Sequence, residues 1–257
     1  MPAWAAFALG AASGAGAAAV AARLLHRRWR ERRGRLLAFA LHELNTPATA
    51  ATLTLVNLAD GVFGDLTEPQ AKWTGTARDQ LERLGAIAGE ARDLVHLELL
   101  GGLKLHVEPV SAEELVDGAL SGARGAYAHA DIPLEHALEQ GLPEVLTDAE
   151  RAGRALSGLL YHARKFRAAG PVRLRARRAG DAVVCEIDYE SVATTPAEAE
   201  ASLDLFYPAR ARKDHVLPAS GLGLGLSRAV MRLAGGDVDC AVEGGRARLA
   251  LILPARP

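Results

Sequence analysis

Cysteine is almost missing from this chain of 257 residues: there are two, Cys185 and Cys240. That excludes a disulfide framework and fits a reducing, cytoplasmic setting. Both lie in strand-like stretches, where a free Cys behaves as a small buried apolar residue. An excess of charge of either sign is also missing. Thirty basic residues against 31 acidic ones leave a formal charge of -1, which supplies no global field for nucleic acid, so nucleic-acid binding is not favoured. Serine-hydrolase elbows, Cys-based zinc motifs and Walker loops are absent. His26, His96, His106, His129, His136 and His215 form no metal-ligand spacing. No internal repeat and no low-complexity linker interrupts the chain.

Charge is absent locally as well. Pro2 to Ala22 carries none and then meets Arg23, Arg27, Arg28, Arg30, Arg32, Arg33 and Arg35. This pattern predicts one spanning helix over residues 3–25, single-pass in the cell inner membrane, with its basic flank in the cytoplasm. A cleaved signal peptide would place its positive charges before the apolar run, where none is encoded. Gly10 and Gly14 stand at GxxxG spacing, which allows close helix approach. With about one residue ahead of the segment, no outer sensing segment is expected.

Apolar residues then recur at helical spacing through Leu36, Leu37, Ala40, Leu41, Leu44, Ala48, Leu55 and Leu58. A turn-rich stretch from Gly61 to Pro69 breaks the pattern, and a second helical run passes through Trp73, Leu81, Leu84, Ile87, Ala91, Leu94, Leu97 and Leu100. Residues 29–101 therefore read as an antiparallel hairpin. Neither helix buries a broad apolar face within one hairpin, so a homodimeric four-helix bundle is expected.

After Gly101 and Gly102 the period changes. Strands are predicted at Leu103 to Val107, Val172 to Arg177, Ala182 to Asp188, Val238 to Val242 and Ala247 to Leu253. Helices are predicted at Ala112 to Gly125, Asp148 to Phe166 and Leu224 to Leu233. Residues 103–255 thus read as an α/β sandwich with helices over one face of a mixed sheet. The whole is an α+β chain.

The segment Phe39-Ala40-Leu41-His42-Glu43-Leu44-Asn45-Thr46-Pro47 holds the residues with evident chemistry. Imidazole is nucleophilic at neutral pH, and a neighbouring carboxylate such as Glu43 can fix its tautomer and leave the other nitrogen free to attack. Thr46 lies one helical turn from His42 on the same face, suited to orienting a water. Pro47 removes a backbone donor and frees a carbonyl there. This segment resembles the phosphoacceptor motif of bacterial two-component sensor histidine kinases, with Asn45 where that family commonly has a basic residue. The resemblance implies that His42 is phosphorylated and passes its phosphoryl group to an aspartate on the receiver domain of a response regulator. It also implies that Glu43 and Thr46 serve transfer and dephosphorylation.

The resemblance extends over most of residues 30 to 257, and implies a histidine-kinase ATPase-type domain that takes ATP and Mg2+. Leu94 to Leu120 resembles the family's passage into that domain. Leu205-Phe206-Tyr207-Pro208 resembles the aromatic segment before the ATP lid. Gly221, Gly223 and Gly225 resemble the glycines that end the lid, where free amides at the start of a helix would meet phosphates. Against the Ala163-Arg164-Lys165-Phe166 register, Gly158 and His162 stand where the family has asparagines, one of them the magnesium ligand. Neutral imidazole is a poor ligand for that hard cation. Asp188 stands as the adenine-reading Asp, with Glu190 and Val192 in place of the glycines that follow it. Two functions remain open: an ATP-dependent autokinase, and a kinase-inactive phosphotransfer or phosphatase adaptor whose second domain binds a partner.

Overall fold

The computed structural model describes residues 3–100, 102–192, 194–205 and 223–256, without the side chains of residues 3–21, 82, 83 and 86. The chain divides into two compact units, Met1–Leu103 and Lys104–Pro257.

The first unit is a hairpin of two long helices, α1 (Ala3–Ala59) and α2 (Glu68–Glu98). The expected anchor and first hairpin helix form one continuous element. No helix among the described residues is long and apolar enough to cross a membrane. The expected anchor falls mainly on residues 3–21, whose side chains lie outside the description. Glu68 and Pro69 open α2, where a proline costs no helical hydrogen bond. Thr67 precedes them, and its backbone N–H and hydroxyl both donate to Gln70 Oε1 at 2.9 Å. Ala48, Ala88, Val95 and Asp93 are buried within the hairpin. Gly34 lets the chain after α2 come close: a Cβ there would stand 2.7 Å from Leu100 Cδ2.

Large apolar side chains nevertheless stay exposed on both helices, among them Leu36, Leu37, Phe39, Leu44, Leu53, Trp73, Leu84 and Ile87. Two helices in contact can each cover only one stripe of the other.

The second unit holds β1 (Glu108–Val110), α3 (Ala112–His129), β2 (Leu134–Leu138), β3 (Val145–Thr147) and α4 (Ala149–Phe166). It continues with β4 (Val172–Ala179), β5 (Ala182–Glu190), α5 (Pro196–Ala201), α6 (Gly223–Leu233), β6 (Asp237–Glu243) and β7 (Arg246–Pro254). Five strands form one mixed sheet in the order β2-β4-β5-β7-β6, parallel only at β2-β4. The crossover between those two carries α4, as parallel strands require. β6 and β7 meet through Gly244 and Gly245, both at positive φ, a tight hairpin turn that glycine alone enters without strain.

One expectation needs correction. Leu103 to Val107 is not a strand. It has no ladder partner, and the His106 N–H turns instead to the Asp148 carboxylate at 3.0 Å. The strand begins at Glu108, where β3 pairs with it. β2, β3 and α5 had no counterpart in the sequence reading. β3 has three residues, and β2 is an edge strand whose Glu135, His136 and Ala137 are exposed, so neither carries a clear alternation.

Elsewhere alternation decides which face is buried. Val183, Cys185, Ile187 and Tyr189 of β5 stand across from Leu253, Leu251, Leu249 and Ala247 of β7, and all eight are buried. On this face lies α4, with Ala152, Ala155, Leu156, Leu159, Leu160 and Ala163 buried at helical spacing. Each fully buried Leu contributes roughly 1.5–3 kcal/mol. The other face is charged. Arg173 pairs with Glu135, Arg177 with Glu186 and Arg248 with Asp188.

Candidate functional site

Two groups of residues carry chemistry, one in each unit. In the hairpin, His42, Glu43 and Thr46 are all exposed on α1. The Thr46 hydroxyl donates to the His42 carbonyl at 3.2 Å. Its lone pairs therefore remain free to accept. Thr49, Thr52 and Thr54 repeat this bond to the carbonyls of Asn45, Ala48 and Ala50. Pro47 has no N–H for the Glu43 carbonyl, and threonine back-bonding of this kind loosens and bends a helix. The helix beside His42 therefore lacks one ladder bond, and its His42 carbonyl also accepts from a side chain. Among the described residues no hydrogen bond or ion pair joins the side chains of His42 and Glu43. The imidazole stands open to a partner.

Among the described residues of the second unit, His162 and Asp188 do not come together. His162 lies on α4 and Asp188 on β5, but strand alternation turns Asp188 to the charged face, where Arg248 Nε approaches its carboxylate at 3.4 Å. The residue that meets His162 is Tyr189. Its hydroxyl shares a hydrogen bond with His162 Nδ1 at 3.2 Å. Tyr189 is 1% exposed, and burial pushes its phenol far above the ordinary value, with Cys240 and Tyr127 adding to the rise. Burial pushes His162 down to about 3, and the Lys165 charge acts in the same direction. The pair is therefore neutral across the physiological range. Phe166 packs against the imidazole, with ring centroids 4.3 Å apart.

Sequence reasoning missed Tyr189, although the signal was present. Val183, Cys185 and Ile187 set an inward phase that Tyr189 continues and Asp188 breaks. It also missed Tyr127, buried, whose hydroxyl donates to the Leu160 carbonyl at 2.7 Å and ties α3 to α4. Cys185 is buried and its thiol is pushed up to about 12 by that burial. Both cysteines are free.

Both carboxylate oxygens of Asp148 are engaged. It caps α4, accepting from the backbone N–H groups of His106 and Arg151 and from the Arg151 guanidinium at 2.7 Å. Burial alone would raise its carboxyl, and these donors outweigh that and lower it.

The glycines divide. Gly221 lies outside the described residues, as do Phe206, Tyr207 and Pro208. Gly223 opens α6 with nothing within 4 Å of where its Cβ would be. Gly225 is a packing glycine, since a Cβ would lie 2.6 Å from the Asp204 carbonyl oxygen. Gly158 has open space beside it.

These residues do not fit magnesium. His162 is a neutral nitrogen ligand already engaged by Tyr189, and magnesium prefers oxygen donors. Among the described residues no group of three His, Cys, Asp or Glu side chains is placed to hold a metal ion.

A helical hairpin bearing an exposed histidine, followed by helices over one face of a mixed sheet, is the class of architecture seen in histidine kinases. Comparison with known proteins agrees. No protein-family model matches the chain. It is 29% identical over 242 residues to the signal transduction histidine-protein kinase/phosphatase MprB of Mycobacterium ulcerans, covering 89% of this chain and 45% of that protein. It is 27% identical over 210 residues to the circadian input-output histidine kinase CikA of Synechococcus elongatus, covering 80% and 28%. Full-length ShkA, solved in complex with AMPPNP, superposes with a TM-score of 0.58 at 21% identity over 86% of this chain and 46% of that one. The Acinetobacter baumannii histidine kinase AdeS does so at 0.54 and 22%, over 84% and 98%. The chain spans less than half the length of the curated relatives named here. Its relatives by sequence are sensor histidine kinases, and its fold is that of solved histidine kinases.

Proposed function

We propose that this chain is a membrane-anchored phosphotransfer protein of a two-component system, working as a homodimer, in which His42 carries a phosphoryl group and exchanges it with a response-regulator aspartate. The observation that carries this reading is the exposed His42 on α1, with the Thr46 hydroxyl one turn away bonded to the His42 carbonyl. In the transfer, one imidazole nitrogen attacks phosphorus as the bond to the leaving oxygen breaks. The reverse step returns the group to the regulator carboxylate. Thr46 is placed to accept from and orient a water, and Glu43 is exposed beside it. The uncharged run up to Ala22 and the arginines after it support the anchor. The apolar side chains exposed along both helices support the dimer.

The source of the phosphoryl group divides this reading. In the first form, ATP bound by the second unit feeds His42. The Tyr189–His162 pair favours the second form, in which the chain exchanges phosphate with its regulator or removes it, and the second unit serves to bind a partner. Incubation with radiolabelled ATP and magnesium, and separately with a phosphorylated receiver, distinguishes the two. Brisk labelling of His42 from ATP supports the autokinase. Exchange with the receiver alone supports the adaptor. Neither reaction would contradict both.

A further inference from the structure

We propose that the base of the hairpin recognises anionic phospholipid headgroups through arginines on α1, an inference that rests on the membrane placement above. Residues 23–35 hold seven arginines against one glutamate, in a chain whose total charge is -1. All seven arginines are exposed. The protein engages some of them: Arg27 pairs with Glu31 at 2.9 Å, Arg30 donates to the Glu98 carbonyl, and the Arg33 guanidinium lies 3.8 Å from the centroid of the Trp29 ring. Arg28, Arg32 and Arg35 have no hydrogen bond or ion pair among the described residues. Spaced at i, i+4 and i+7, they share one helical face. Trp29, Leu25 and Leu36 are exposed along the border of that face.

This combination selects its occupant. A second copy of the chain covering the face would bury three unpaired cations, which is costly. Nucleic acid would not use the flanking apolar side chains. A bilayer surface rich in acidic lipid meets both, with phosphates for the guanidinium groups and the headgroup-acyl boundary for Trp29 and the leucines. On another side of the same helix an open groove of about 800 Å³ is lined by Arg23, His26, Arg27, Arg30, Leu97 and Leu100. Glu31 and Glu98 line it too, so its walls are mixed in charge, unlike the face of Arg28, Arg32 and Arg35.

The test uses the full chain with Trp4→Phe and Trp73→Phe, which leaves Trp29 as the single tryptophan, reconstituted in vesicles of phosphatidylcholine and phosphatidylglycerol. Bromine is carried on the acyl chains of one lipid or the other at equal mole fraction. Trp29 quenching is expected to be about twofold stronger with bromine on the anionic lipid. The preference should disappear in Arg28→Gln/Arg32→Gln/Arg35→Gln and survive millimolar glycerol phosphate. Equal quenching by both lipids, or a preference retained by the triple variant, overturns the proposal while leaving the membrane placement intact. Loss of the preference to glycerol phosphate assigns the arginines to free phosphate and overturns it too. No quenching by either lipid overturns the membrane placement together with the proposal.

Discussion

Tyr189 of β5 and His162 of α4 share a 3.2 Å hydrogen bond inside the second unit, where the family resemblance puts an asparagine at position 162. This pair sets the nucleotide question. Replacing His162 by Asn returns an oxygen donor but leaves the phenol beside it. The single variant should therefore gain little magnesium-dependent ATP affinity, even with Gly158→Asn, and a gain should appear only when Tyr189 is also made small. Titration calorimetry with and without magnesium measures this. A large metal-dependent gain from His162→Asn alone would show that Tyr189 yields freely.

The same bond contributes to stability. Tyr189→Phe leaves the His162 Nδ1 without its partner while preserving shape, and should cost about 1–3 kcal/mol. Thermal unfolding of wild type and variant reads this as a drop of several degrees.

The pH dependence has a defined sign. Native His162 stays neutral until about pH 3, whereas the unfolded imidazole takes up a proton near its ordinary value of 6.5. Below 6.5 the unfolded state binds the extra proton. The stabilisation is therefore complete above pH 6.5 and is lost as pH falls towards 3, at up to about 1.4 kcal/mol per pH unit. Asp148 and Asp237, whose carboxyls are held below their usual value of 3.8, lose their stabilising charge only at the acid end of this range. Denaturant melts between pH 7 and pH 4.5 should show the slope in wild type and a reduced slope in His162→Gln.

Gly225 and Gly223 separate packing from openness. Gly225→Ala drives a Cβ to within 2.6 Å of the Asp204 carbonyl oxygen, an overpacking that should cost about 1–3 kcal/mol. Gly223→Ala meets open space and should be near neutral. Equal effects in thermal melts would contradict the assignment of Gly225 to packing.

Much of this architecture was legible because it depends on period. The hairpin was read from apolar residues at helical spacing; of the turn-rich stretch Gly61 to Pro69, Gly61 to Thr67 lie between α1 and α2, and Glu68 and Pro69 open α2. Four of the five strands of the large sheet were found where alternation is strong. β2 was missed because an edge strand with exposed Glu135 and His136 has little to alternate. His42 was legible because its neighbours form a continuous string. The environment of His162 was not, because the Tyr189 contact joins residues 27 apart through strand phase. Asp188 entered as the adenine-reading Asp that the family resemblance implies, and the phase of β5 turns it towards Arg248.

The most direct measurement of the proposed role of His42 follows a phosphorylated receiver domain mixed with the purified full chain. Label should appear on the wild-type protein at His42 and leave the receiver. His42→Gln should take up none while unfolding at the same temperature as wild type, because an exposed side chain is removed without opening a cavity. Label transfer to His42→Gln at the wild-type rate would contradict the account.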